Sequence, residues 1–139
     1  MSQRYNLISF VVPVLNEQDS LKQLFDEILA VAPSMPCDSF EVIFVDDGST
    51  DDSWSVIQQI SENNPKTVRG IRLRRNFGKT LAINAGVKAT SGELVFLMDA
   101  DLQDNPSEIP KFLAKIDEGT DLVVGWKVDR KDPWHKTLP

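Results

Sequence analysis

Short apolar runs alternate with helix-like spacings along this chain from end to end, and few folds accommodate that alternation. Residues 7–14, 40–45, 68–73, 94–98 and 122–127 read as strands. Their continuous apolar and β-branched character, without in–out alternation, marks strands covered on both faces, as in a parallel sheet. Between them, Leu21, Leu24, Phe25, Ile28 and Leu29 fall on one helical face, residues 53–61 form a second helix, and 80–88 form a small-residue helix suited to close packing. Ser49, Asp51 and Asp52 are cap candidates for the second helix, and Asn63-Asn64-Pro65 ends it. Asn105-Pro106-Ser107-Glu108 opens a fourth, with Ile109, Phe112, Leu113 and Ile116 as its buried face and Gly119 at its close. The expected fold class is α/β, a mainly parallel sheet with helices on both faces.

Two of the apolar runs stop at acidic clusters. Val42-Ile43-Phe44-Val45 leads into Asp46-Asp47-Gly48-Ser49-Thr50-Asp51, and Leu94-Val95-Phe96-Leu97-Met98 into Asp99-Ala100-Asp101-Leu102-Gln103-Asp104. Open α/β sheets bind ligands outside the carboxyl ends of their strands, so both clusters stand at the expected mouth of a site. Carboxylates gathered there repel one another unless a cation or a ligand's hydrogen-bond donors offset them.

Asp99 and Asp101 are spaced i, i+2, which in extended backbone turns both carboxylates to one side. Paired oxygens of this kind suit Mg²⁺ or Mn²⁺, hard cations that complete their shell with water and diphosphate oxygens. Gln103 keeps the same parity and offers a carbonyl oxygen. A lone Asp-x-Asp is more often a solvated loop, but its place behind a buried strand favours the metal. Asp47 is expected to accept a nucleobase N–H or a ribose hydroxyl, with Gly48 permitting a positive φ in the turn. Pro13, Asn16 and Glu17 follow the first strand on the same rim; Glu17 is placed to reach a ribose, and Asn16 equally reads as a plain helix cap. Among the basic residues, Arg72 and Lys131 read as solvated, while Lys127 at the end of the last strand faces a diphosphate.

Composition excludes several alternatives. A net charge of −6 argues against broad nucleic-acid binding. The single cysteine, Cys37, cannot form an internal disulfide. His135, the only histidine, rules out most histidine-rich metal sites and argues against a Ser/His/Asp triad. Neither a P-loop nor a Gly-x-Gly-x-x-Gly turn is present. A sugar-phosphate nucleotidyltransferase needs a glycine-rich loop where Pro13-Val14-Leu15-Asn16 stands, and a phosphoacceptor signalling domain places its acidic clusters after other strands. The apolar stretch 7–15 is too short to span a bilayer, so a soluble, cytoplasmic chain is expected. Residues 128–139 end without an element to close the sheet, which suggests a fragment of a longer protein.

Four motifs, Val11-Val12-Pro13-Val14-Leu15-Asn16-Glu17, Val45-Asp46-Asp47-Gly48-Ser49-Thr50-Asp51, Arg75-Asn76-Phe77-Gly78-Lys79 and Met98-Asp99-Ala100-Asp101-Leu102-Gln103, resemble the family 2 glycosyltransferases of GT-A fold. Within that family the polyprenyl-phosphate transferases are the most similar branch. The resemblance implies the GT-A nucleotide-diphospho-sugar transferase fold, truncated at the C-terminus, with residues 1–139 as its donor part and the acceptor-side and membrane segments beyond. It implies transfer with inversion from a UDP- or GDP-sugar to a lipid phosphate, with Mg²⁺ or Mn²⁺ as cofactor, at the cytoplasmic face of the membrane. Transfer to a saccharide hydroxyl, or donor binding without turnover, are the alternatives within it.

By motif position, Pro13, Leu15 and Glu17 would line the nucleoside pocket, with Val45 and Asp47 beside the base. Asp99 and Asp101 would hold ribose and metal, Gln103 would join the metal, and Lys79 and Ala100 would complete the donor contacts. Lys127 stands where the family usually has arginine, Leu15 where it often has tyrosine, and Lys136 matches a basic position on the phosphate side. With Asp99 and Asp101, Lys127 makes up the expected catalytic set. A lipid phosphate is already ionised near neutral pH, which accounts for the lack of an obvious general base.

Overall fold

The computed structural model describes residues 4–102 and 106–110. In chain order its elements are β1 (Tyr5–Val14), α1 (Leu21–Val31), a 3₁₀ turn (Ala32–Ser34), β2 (Cys37–Asp46), α2 (Ser53–Asn63), β3 (Val68–Arg72), α3 (Lys79–Lys88), β4 (Leu94–Leu97) and a second 3₁₀ turn (Pro106–Glu108). The four strands form one sheet in the order β3-β2-β1-β4, every pairing parallel. The expected helix and strand beyond residue 110 lie outside the described residues, although Pro106 does open a helical turn as its position predicts.

Central β1 is sandwiched between β2 and β4, and its residues divide cleanly by parity. Ile8, Phe10, Val12 and Val14 face one layer, where they pack with Leu21, Leu24, Phe25 and Ile28 of α1 and with Ile57 and Ile60 of α2. Phe10 stacks on Phe96 of β4 at 5.6 Å and meets Phe40 of β2 edge-on at 6.2 Å. Val11 faces the other layer with Ile43, Val45 and Ala82 of α3. Gly86 lets α3 approach: a Cβ there would lie 2.5 Å from Val11 Cγ1 and 3.0 Å from Val45 Cγ2. Buried Ser9 on this face is satisfied, donating to Glu41 Oε2 at 2.6 Å and accepting from Gly92 N at 2.9 Å.

Three local expectations need correction. Leu29 is exposed, because it falls on the margin of the α1 stripe. Ser49 does not cap α2, since its Oγ accepts instead from Asn16 N at 2.9 Å. Asn16 does not cap α1, which begins after Ser20, and it reaches back to the loop before α2.

The chain leaves β1 for β2 and β3 on one side and returns through α3 to β4 on the other. Strand order therefore reverses between β1 and β4, and at such a reversal the connecting loops part and leave a crevice at the carboxyl ends.

Candidate active site

All four strands being parallel, the loops that follow them share one rim. The β1 and β2 loops are joined side chain to backbone. Asn16, in the left-handed region at φ 54°, accepts from Thr50 N at 2.8 Å and Asp51 N at 3.3 Å. Glu17 N donates to Ser53 Oγ at 2.8 Å, Gln18 N to Asp51 Oδ2 at 3.3 Å, and Asp52 N to Gln18 Oε1 at 2.7 Å. Burial opposes ionisation of Asp51, but hydrogen bonds from Ser53 and Gln18 outweigh it and hold the carboxyl below its ordinary value. Asp51 Oδ1 also accepts from Ser53 N at 2.9 Å, so the run 49–53 satisfies the first amide of α2 and amides of the β1 loop together.

Asp47 fixes a third loop to the rim. It is 3% exposed, and its two oxygens accept from Phe77 N at 2.8 Å and Gly78 N at 3.0 Å. Gly48 makes that contact possible, because it adopts φ 78° and a Cβ would fall 2.4 Å from Asn76 N. The motif 75–79 is therefore seated on the end of β2 by the residue expected to meet a base. Each Asp47 oxygen retains one further lone pair.

Beside the crevice, Lys79 Nζ lies 2.7 Å from Asp99 Oδ1, with side chains only 8% and 11% exposed. A lysine in the first turn of a helix opposes the helix dipole. Here its ammonium is directed instead at a carboxylate in the loop after β4, and that pairing explains its place. Beyond Asp99 the chain turns: Ala100 is buried, with its carbonyl 2.5 Å from Ser20 Oγ, Asp101 is exposed, and Leu102 takes φ 65°. The extended parity expected for Asp99 and Asp101 therefore fails. One carboxylate is buried and ion-paired, while the other stands at the surface of the turn.

Glu17 completes the cluster from the β1 side, its carboxylate 3.2 Å from Ser20 Oγ. Burial pushes its pKa up, the Ser20 hydrogen bond opposes the rise, and the charges of Asp101, Asp51 and Asp99 add to it. Residues from three loops are thus close enough to share one electrostatic field, which is what an incoming cation would relieve.

Pro13 and Val45 form a register pair inside the sheet, and Val45 is 0% exposed in the core beneath α3. Both residues are buried at the carboxyl ends of their strands, directly beneath the rim. Leu15 is half-buried at the end of β1. Gln103, Lys127 and Lys136 lie outside the described residues. Sequence reasoning gave no separate role to Asp46, which is fully buried; Oδ1 accepts from Ser49 N at 3.1 Å and Oδ2 has no hydrogen-bond partner among the described residues. The clue was its position as the first acid after a wholly apolar strand.

Among the described residues no group of three or more His, Cys, Asp or Glu side chains is gathered to hold a metal. The available donor set is two carboxylates, Asp99 and Asp101. Hard oxygen donors of this kind fit Mg²⁺ or Mn²⁺, which draw their remaining oxygens from water and phosphate. Asp99 already accepts a cationic partner in Lys79, so the position tolerates positive charge. No helix among the described residues is long and apolar enough to cross a membrane.

Residues 9–138 match the family described as Glycosyl transferase family 2. The chain is 40% identical over 129 residues to the undecaprenyl-phosphate 4-deoxy-4-formamido-L-arabinose transferase of Edwardsiella ictaluri (strain 93-146), covering 93% of this chain and 39% of the relative. It thus spans about two fifths of the length of the curated relatives it matches. Among solved structures, a mannosyltransferase from Pyrobaculum calidifontis in complex with GDP-Man and Mn2+ superposes with a TM-score of 0.67 at 27% identity, over 78% of this chain and 31% of that one. Glucosyl-3-phosphoglycerate synthase from Mycobacterium tuberculosis, in complex with Mn2+, UDP and phosphoglyceric acid, gives 0.61 at 27% identity, over 81% and 39%. The parallel sheet and its helices have the GT-A fold of these glycosyltransferases. Matched by family over nearly its whole length, the chain belongs to glycosyl transferase family 2.

Proposed function

We propose that residues 1–139 form the donor part of a glycosyltransferase that moves a sugar, with inversion, from a nucleoside-diphosphate sugar to a polyprenyl phosphate. The observation that carries this reading is the Lys79–Asp99 ion pair, with Glu17 and Asp101 on the loops either side of it, at the crevice where strand order reverses. The named substrate of the 40% identical relatives, an undecaprenyl phosphate, supports the acceptor class. The GDP-Man and UDP complexes of the structural neighbours support the donor class.

In this reading the nucleoside lies over the joined β1 and β2 loops, by Pro13, Leu15 and Glu17, with Val45 and Asp47 beside the base. Glu17 accepts a ribose hydroxyl. Asp99 and Asp101, with Gln103, would hold Mg²⁺ or Mn²⁺, while Lys79 balances Asp99 and turns toward the diphosphate when the site fills. The bound ion would act as a Lewis acid toward charge developing on the departing nucleoside diphosphate. Lys127 and Lys136 are assigned to the phosphate side. The acceptor phosphate is ionised near neutral pH, so no side chain has to act as a general base. Membrane-linked acceptors place the protein at a membrane surface, on the cytoplasmic side where nucleotide sugars are available.

Calorimetric titration with UDP and GDP, with and without Mn²⁺, tests the reading. Binding is expected to strengthen with Mn²⁺, and Asp101→Asn should abolish the metal-dependent part, about tenfold or more in affinity. Metal-independent binding in both proteins would refute the assignment of Asp101.

A further inference from the structure

From Asn63 to Gly92 the chain carries seven Lys and Arg and no Asp or Glu, although the whole protein has 15 basic and 21 acidic residues. Three of the seven are engaged within the fold: Arg69 with Glu41, Lys79 with Asp99, and Arg72 over the Trp54 ring at 5.6 Å. Arg74 and Arg75 are exposed and have no carboxylate partner among the described residues. Next to them stand two of the few large apolar side chains left in water, Phe77 at 40% and Leu81 at 47% exposure. Arg75 lies 4.7 Å from the centroid of the Phe77 ring.

A charge run alone usually means a solvated face. This one differs because the fold holds its aromatic residue outward. Both Asp47 oxygens fix the backbone at Phe77 and Gly78, and Gly48 seats the preceding residues against β2, so Phe77 is presented on a pinned segment. Leu81, four residues on, is exposed in the first turn of α3.

We infer that Arg74, Arg75, Phe77 and Leu81 form a docking face for a bilayer rich in anionic phospholipid. Phe77 and Leu81 enter the boundary between headgroups and acyl chains, while the arginines remain with the phosphates, an arrangement natural to long basic side chains. Charge complementarity selects this occupant. The rest of the chain is strongly acidic and is repelled by an anionic surface, so the protein is oriented as well as attracted. Four side chains are too few for a stable protein interface, which buries about 800 Å² per partner. A bilayer needs only a few inserted groups and a local excess of positive charge. The patch lies on the same rim as the Asp99–Lys79 pair, so docking brings the crevice toward the headgroup layer.

The test is co-sedimentation of the full chain with vesicles of phosphatidylcholine alone or mixed with phosphatidylglycerol. Wild type is expected to bind the mixed vesicles selectively, with binding falling as salt rises. The double variant Arg74→Gln/Arg75→Gln should lose roughly 25-fold, about fivefold per arginine. Phe77→Ser should remove the binding that persists in salt, and Lys22→Gln on α1 should change nothing. Far-UV circular dichroism checks that each variant is folded. Should the double variant not fold, amide hydrogen exchange of wild type on mixed vesicles decides the matter, with protection expected across residues 74–81. Equal binding to both vesicle types, an unaffected folded double variant, an equal loss in Lys22→Gln, or protection absent from that segment would each overturn the inference. So would tighter binding of a single-stranded oligonucleotide through the same residues. Nucleotide titration of the same protein reads the donor site separately, so the two proposals can fail independently.

Discussion

Lys79→Met removes one partner of the buried ion pair while keeping most of its volume. At 2.7 Å and an effective dielectric near 20, the gross attraction between Lys79 and Asp99 is about 6 kcal/mol. Desolvation of both groups offsets much of that, but a variant that strands one charge does not recover the penalty. Breaking such a pair from one side costs about 3–5 kcal/mol. Both side chains are nearly covered, so solvent screens the interaction little. We take about 3 kcal/mol as the expected loss, which at a slope of about 2 kcal/mol per molar lowers the urea midpoint by about 1.5 M. Urea titration followed by circular dichroism measures it. The double variant Lys79→Met/Asp99→Asn should regain most of the loss, giving a coupling of about 2 kcal/mol. Mn²⁺ should raise the midpoint of Lys79→Met more than that of wild type, because the freed carboxylate then takes the ion without a competing ammonium. A wild-type midpoint for Lys79→Met, or a double variant whose loss is the simple sum of the singles, would refute the reasoning.

Glu17→Gln tests the acidic cluster through pH. Because burial and neighbouring acids raise the folded-state pKa, the folded protein binds this proton more tightly than the unfolded chain, and ionising Glu17 costs stability as pH rises from the ordinary value of 4.5 through the folded one. The variant should therefore melt higher than wild type at neutral pH and identically well below 4.5; a lower Tm at neutral pH would contradict the repulsion. Gly86→Ala sets helix propensity, worth about 1 kcal/mol in favour, against a Cβ 2.5 Å from Val11 Cγ1. The clash should win by about 1 kcal/mol in denaturant titration, and a stabilised variant would show that α3 can move off the sheet.

The strands were legible because both their faces are covered, so 42–45 and 94–97 read as unbroken apolar runs. Their amino ends were not, since polar Asn6, Asp38 and Ser39 separate Tyr5 and Cys37, which pair with each other, from the apolar runs. The rim was legible as a place, because acids cannot continue a buried strand. What each acid does there was not. Asn16 meets Thr50 and Asp51 over more than thirty residues of chain, and Asp47 meets Phe77 and Gly78 over a similar span. No local pattern encodes those partners. The parity argument for Asp99 and Asp101 failed because it prolonged β4 past Leu97, whereas Ser20 from the far side of the crevice holds the Ala100 carbonyl in a turn. Pro13 and Val45 are named by motif position alone, because nothing in the apolar runs that contain them distinguishes a residue of the rim from a residue of the core.

Asn16 carries one more implication. Its single amide side chain stitches two crossover connections into one body before any guest arrives. Ordering them during recognition would otherwise subtract from affinity, so that entropy has already been surrendered on folding. Selectivity on this side of the crevice is then a matter of fit against a rigid template, and evolution can retune it by exchanging side chains without rebuilding the loops.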